Sequence, residues 1–121
     1  MILADTSVWV QFFRSGDPEL RALLEEGLVA MHDFVLGELA CGNLRDRSRT
    51  LAELRLLPRI DAATTGETLS LIANHRLHGR GLGWIDTHLL AAALLTRVEL
   101  YTRDRALAKA ANDLAIVHSP H

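Results

Sequence analysis

The stretch Met1-Ile2-Leu3-Ala4-Asp5-Thr6-Ser7-Val8-Trp9 decides the architecture. Three apolar residues, short enough for a buried strand, end on an acid and two hydroxyl side chains, and Val8 to Phe13 follows with helical spacing, so Thr6 or Ser7 is expected to cap a first helix. The same pattern returns near the other end of the chain. Glu99 to Thr102 is a second strongly apolar strand candidate, Asp104 comes directly after it, and an Ala-rich helix runs from Arg105 to Ala111.

Between these two units, short apolar segments alternate with longer amphipathic ones. Asp17 and Pro18 open a helix to about Glu26, Gly27 stops it, and Leu28 to Met31 is a strand candidate. A helix carrying Phe34, Val35, Leu36, Glu38, Leu39 and Ala40 ends at Gly42 and Asn43. A polar helix then spans about Arg45 to Leu54, and Leu56 to Ile60 is a short strand whose Pro58 suits a sheet edge. Thr64 or Thr65 starts a helix through about Leu77. The loop His78 to Gly83 leads to Asp86 at the start of an apolar helix ending near Thr96, and Leu114 to Val117 is a last short strand. Strands separated by helices predict an α/β sandwich with a mainly parallel sheet and right-handed crossovers.

At 121 residues, 49% of them apolar, the chain can bury a core as one domain, residues 1–121, with no linker or repeat to divide it. One cysteine, Cys41, excludes an internal disulfide and a Cys/His zinc cluster and fits a reducing cytoplasm. Asp5 interrupts the first apolar run too early for a secretory signal. The longest apolar run, Leu89 to Leu95, is far below the ~18 residues of a membrane span. The net charge of −2 excludes a globally basic nucleic-acid binder, although 12 of the 13 basic residues are arginine. Arg45, Arg47, Arg49 and Arg55 suit bidentate phosphate contacts, or form a solvated helix face with Asp46 and Glu53.

Four acids carry the chemistry. Asp5 and Asp104 follow strands, which places them at the carboxyl edge of a parallel sheet, where α/β proteins bind ligands. Asp86 begins a helix after a Gly-rich loop. Glu38 lies in the apolar segment Val35 to Ala40, where a buried carboxylate needs a cation or a hydrogen-bond partner. Each has a plainer reading: Asp5 and Asp86 as helix caps, Asp104 as a turn residue paired with Arg103 or Arg105, Glu38 as a surface residue. Four converging carboxylates require a cation among them, and an oxygen-only set favours Mg²⁺ or Mn²⁺ over zinc. His75 and His78 have a helical spacing that can bind metal but no carboxylate partner nearby in sequence. His88, just beyond Asp86, lines the site or, by the plainer reading, is a packed or solvent-facing side chain, and His118 and His121 are expected at a frayed terminus. Trp9, Phe12, Phe13 and Trp84 are core or interface residues, or a platform for unpaired bases.

Met1 to Trp9, Val35-Leu-Gly-Glu38-Leu-Ala40, Trp84-Ile-Asp86-Thr-His-Leu-Leu-Ala-Ala-Ala93 and Leu100-Tyr-Thr102-Arg-Asp104-Arg-Ala-Leu107, in this order and at these intervals, resemble PIN-domain proteins of the VapC type over nearly the whole chain. The resemblance implies a three-layer α/β/α fold with a central sheet of about five strands and a metal site at Asp5, Glu38, Asp86 and Asp104. Thr102, and with it Thr6 and Ser7, would support that site through hydrogen bonds. It further implies a metal-dependent endoribonuclease toxin, a homodimer with contacts near Trp9 and Phe13, and a VapB-like antitoxin partner. A DNA nuclease of the same fold and an inactive interaction module are the alternatives. A receiver-like phosphorylation domain is disfavoured, because the only lysine, Lys109, sits inside a helix and no adjacent acid pair follows the first strand.

Overall fold

The computed structural model of the protein describes residues 1–120. In chain order its elements are β1 (Ile2–Ala4), α1 (Thr6–Ser15), α2 (Pro18–Glu25), β2 (Val29–Ala30), α3 (Asp33–Cys41), α4 (Arg47–Arg55), α5 (Thr65–Asn74), α6 (Trp84–Thr96), β3 (Glu99–Tyr101) and α7 (Arg105–Asp113). The sheet is parallel, in the order β2-β1-β3, with Ile2 opposite both Val29 and Glu99.

Two further segments extend it by single parallel bridges, Met31 with Arg59 beyond β2 and Leu100 with Val117 beyond β3. The expected five strands are therefore three strands and two one-residue bridges. Pro58 contributes only its carbonyl to the outer segment, accepting from the Met31 N–H at 2.7 Å, as an edge proline must. On the other side Ala115 takes a positive φ of 60° just after α7, so little chain is left to lie along β3 before the Leu100 N–H reaches the Ile116 carbonyl at 2.7 Å.

β1 is central and buried at all three positions, and Leu3, Val8, Trp9, Leu20, Leu90, Leu100 and Leu107 are among the side chains that close the core around it. α6 enters that core on a broad front, burying Thr87 to Ala93 without a break. Burying a leucine of this kind stabilises by about 1.5–3 kcal/mol. Each strand thus ends at a fixed height, and the first residues after β1 and β3 stand side by side: the Asp5 N–H donates to the Tyr101 carbonyl at 3.0 Å. The order of the strands reverses between β1 and β3, which opens a crevice at their carboxyl ends.

Candidate functional site

Asp5 forms the floor of that crevice. It is only 5% exposed and is itself the N-cap of α1, where Thr6 or Ser7 was expected; its Oδ1 accepts the Val8 N–H at 3.2 Å. The two hydroxyls have other work. Ser7 donates its one proton to Asp5 Oδ1 at 2.5 Å, and Thr6 donates to Glu38 Oε1 at 2.6 Å. Just past β3, Thr102 donates to Asp5 Oδ2 at 2.6 Å and accepts the Asp104 N–H at 3.0 Å. Ser7 and Thr102 lie 3.4 Å apart, but both protons are committed to Asp5, so their contact adds little.

Two of the other acids, Asp86 and Asp104, sit at helix starts. Asp104 caps α7 through Oδ1, which accepts the Leu107 N–H at 2.9 Å, and Asp86 caps α6 through Oδ2, which accepts the Gly83 N–H at 2.9 Å. Glu38 is exposed. The apolar stripe of α3 is Val35 and Leu39, so residue 38 turns outward, and the expectation of a carboxylate buried in an apolar helix is corrected. Asp104 does not pair with Arg103, whose guanidinium is bound to Asp17 instead.

Burial raises the pKa of Asp5; the hydrogen bonds from Ser7, Thr102 and Val8 work against that shift, and the nearby charge of Asp86 adds to it. Asp5 is thus a carboxylate whose ionised form is short of positive charge. Among the described residues, no three His, Cys, Asp or Glu side chains stand together as a ready-made metal cage. The donor set nonetheless fits a hard divalent cation. It is all oxygen, and Asp86 Oδ1, Asp104 Oδ2 and Glu38 Oε2 have no hydrogen-bond partner among the described residues.

The histidines do not compete for this role. α5 ends at Asn74 with His75 as its cap, so His75 and His78 do not share a helix face. His88 is buried, 3.3 Å from Thr68 Oγ1, with its ring between Trp84 and Phe34. His118 is docked rather than frayed, its ring nitrogens each 2.9 Å from Glu19 and Glu99; His121 lies outside the described residues. Sequence reasoning missed His32, which caps α3 by accepting the Phe34 N–H at 2.9 Å. Burial lowers its pKa and keeps the ring neutral, as an acceptor must be. It also missed what Asp17 does beyond capping α2.

A buried carboxylate between two hydroxyl donors at the carboxyl edge of a parallel sheet, with the charge of Asp86 near it, Glu38 bonded to the adjoining Thr6 and the Asp104 N–H bonded to Thr102, defines a class: α/β proteins with an acidic sheet edge. The PIN domain family model matches residues 2–113, and the chain belongs to the PIN-domain family, in its VapC-type branch. It is 41% identical over 108 residues to Ribonuclease VapC32 of Mycobacterium tuberculosis, in strains CDC 1551 / Oshkosh and H37Rv alike, covering 88% of this chain and 87% of the relative. Two solved structures share the fold. A toxin-antitoxin complex from Klebsiella pneumoniae aligns with a TM-score of 0.75 at 24% identity over 100% of this chain and 98% of that one. FitAcB from Neisseria gonorrhoeae aligns with a TM-score of 0.64 at 21% identity over 93% and 94%.

Proposed function

We propose that the chain, a single PIN domain over residues 1–121, is the toxin of a type II toxin–antitoxin pair: an endoribonuclease that hydrolyses RNA phosphodiester bonds with Mg²⁺ or Mn²⁺ held by Asp5, Glu38, Asp86 and Asp104. The observation that carries the site is Asp5, buried, held at both oxygens by hydroxyls and raised in pKa by burial and by Asp86. A bound divalent cation lowers the pKa of a water and offsets negative charge at the phosphorus and leaving oxygen. The chain's own part is to hold the acids. Ser7 and Thr102 fix the Asp5 carboxylate, Thr6 restrains Glu38, and the caps on α6 and α7 fix Asp86 and Asp104. Attack by water with the 3′ oxygen leaving yields a 5′ phosphate and a 3′ hydroxyl.

Restraint by an antitoxin finds support in a groove of about 700 Å³ whose lining combines Val10, Phe13, Leu39 and Leu44 with Glu38 and Arg45. An apolar segment folding onto that groove would carry an Arg or Lys to the acids, where its charge replaces that of the cation. Trp9 is only 2% exposed, so it is not available for the dimer contact expected near the N-terminus. Self-association is better supported on the groove between α5 and α6, where Leu94 and Leu95 are exposed. No helix among the described residues is long and apolar enough to cross a membrane, and the single free Cys41 is in keeping with a cytoplasmic site of action.

The test is cleavage of single-stranded RNA by the purified chain, freed of any partner. Cutting with Mg²⁺ or Mn²⁺, loss in EDTA and products with 5′ phosphates are expected. Undiminished cleavage in EDTA would overturn the mechanism, and equal cutting of DNA would favour the DNA-nuclease alternative.

A further inference from the structure

A fifth carboxylate, Asp17, stands apart from the four acids and is 2% exposed. Its Oδ1 accepts the Leu20 N–H at 3.0 Å, capping α2. The Tyr101 hydroxyl approaches Oδ1 at 3.1 Å and Oδ2 at 2.9 Å, and Arg103 donates to Oδ2 from Nε at 3.2 Å and Nη2 at 2.8 Å. Burial alone would raise the pKa of Asp17. The donors at Leu20, Arg103 and Tyr101 and the charge of Arg103 outweigh it and hold the group below its usual value. Burial, with Asp17 next to it, pushes the Tyr101 phenol up to about 12, so it remains a donor. A fixed anion therefore grips two residues at the end of one strand.

β3 ends at Tyr101, and Arg103 lies in a bend just beyond it. Tyr101 and Arg103 both reach Asp17, while the residue between them, Thr102, turns to the acidic crevice. There Thr102 meets Asp5 at 2.6 Å and receives the Asp104 N–H at 3.0 Å. The main chain of Arg103 makes a second link. Its N–H donates to Ser7 Oγ at 3.0 Å, and Ser7 in turn donates to Asp5. Both hydroxyls that orient Asp5 are thus tied to the segment that Asp17 clamps.

We infer that Asp17, through its grip on Tyr101 and Arg103, is a positioning residue that sets Thr102 and Asp104 against Asp5 and thereby the affinity of the acidic site for a divalent cation. The inference rests on the proposed function. It differs from a purely structural role for Asp17, which would lower stability and leave the site as it is.

Mn²⁺ binding to the intact protein without RNA, followed by electron paramagnetic resonance, separates these outcomes, together with kcat and KM for RNA cleavage. Asp17→Asn retains the α2 cap, since Asn caps as well as Asp, but loses the charge that holds Arg103. Arg103→Met removes the same link from its half-exposed side and so spares the core. Both variants are expected to weaken Mn²⁺ about ten- to a hundredfold and to lower kcat, with KM within about twofold of the parent, and Arg103→Lys is expected to recover part of the loss. Should Asp17→Asn fail to fold, Arg103→Met decides. Variants that melt earlier but bind Mn²⁺ as tightly as the parent overturn the inference. So does a raised KM with unchanged Mn²⁺ affinity, which would make Arg103 an RNA contact. Absence of Mn²⁺ binding and cleavage in the parent protein would instead sink the proposed function itself.

Discussion

Asp5→Asn tests whether the buried charge is kept for a cation or for the fold. In the protein without metal, burial and then Asp86 raise the pKa of Asp5. A carboxyl whose folded pKa is raised contributes stability that is fully present below the unfolded pKa and is lost as pH climbs through the folded one. At neutral pH in EDTA the ionised Asp5 therefore weighs against folding, and asparagine removes that penalty. Against this, the amide nitrogen would face Thr102 Oγ1, which already receives the Asp104 N–H, so the Thr102 proton must find another acceptor, a cost of about 1 kcal/mol. The two effects oppose each other, and the melting temperature in EDTA is expected to change by no more than about 5 °C. With Mn²⁺ at about a hundred times its dissociation constant the parent gains about 2.7 kcal/mol and the variant does not. Differential scanning fluorimetry across pH and Mn²⁺ concentration reads all of this. Acidification in EDTA should stabilise the parent relative to the variant as Asp5 takes up its proton. Cleavage should fall on the order of a thousandfold, the equivalent of several kcal/mol of transition-state stabilisation. A variant that unfolds in EDTA, or that gains as much from Mn²⁺ as the parent does, refutes the reasoning.

Two shorter tests address the rim of the site. Glu38 is exposed and among the described residues its side chain hydrogen-bonds only to Thr6, so Glu38→Gln should leave the melting temperature in EDTA within the ±0.5 kcal/mol equivalent of an ordinary surface change while cleavage drops about ten- to a hundredfold; equal activity would remove Glu38 from the site. Phe13 is 40% exposed in the groove that Glu38 also lines, so Phe13→Glu should weaken capture of a co-expressed antitoxin by at least about tenfold in calorimetry. Undiminished binding would place the antitoxin elsewhere.

The fold was legible where a few residues carry a whole element. Ile2 to Ala4 is an apolar triplet that ends on Asp5, Glu99 to Tyr101 pairs two buried apolar residues with an exposed acid and ends on Thr102, and both are strands. The outer segments were harder to read, because a run such as Leu114 to Val117 has the composition of a strand, and how much of it pairs depends on where the preceding helix stops. α7 runs on to Asp113, and only Val117 is left for the bridge. The end of α5 shifted for a related reason. The sequence pattern extends to Leu77, but Arg76 takes a positive φ of 52°, which ends the helix at Asn74 and lets Leu77 bury itself from a turn. The arginines of the Arg45 to Arg55 run are exposed, with Arg49 paired to Glu53 and Arg47 on the Ala40 carbonyl.

At the site, sequence reasoning set capping and cation binding against each other, and the geometry dissolves that choice. Asp5, Asp86 and Asp104 all cap helices. A cap needs one carboxylate oxygen, and for Asp86 and Asp104 it takes only Oδ2 and Oδ1 respectively, leaving a second oxygen whose direction is fixed by the first. Capping is thus the means by which a surface acid is held still at the edge of a sheet. A freely rotating carboxylate would lose side-chain entropy on meeting a cation, and a capped one has lost most of it during folding. Asp5 departs from this pattern because both of its oxygens are already bonded, to Ser7 and Val8 on one side and to Thr102 on the other, and because it is buried. No local sequence signal distinguishes it from the other caps. The difference comes from the parallel register of β1 and β3, which places Thr102 beside it, and from Asp17, 12 residues further along the chain, which holds Tyr101 at the end of the strand that Thr102 follows.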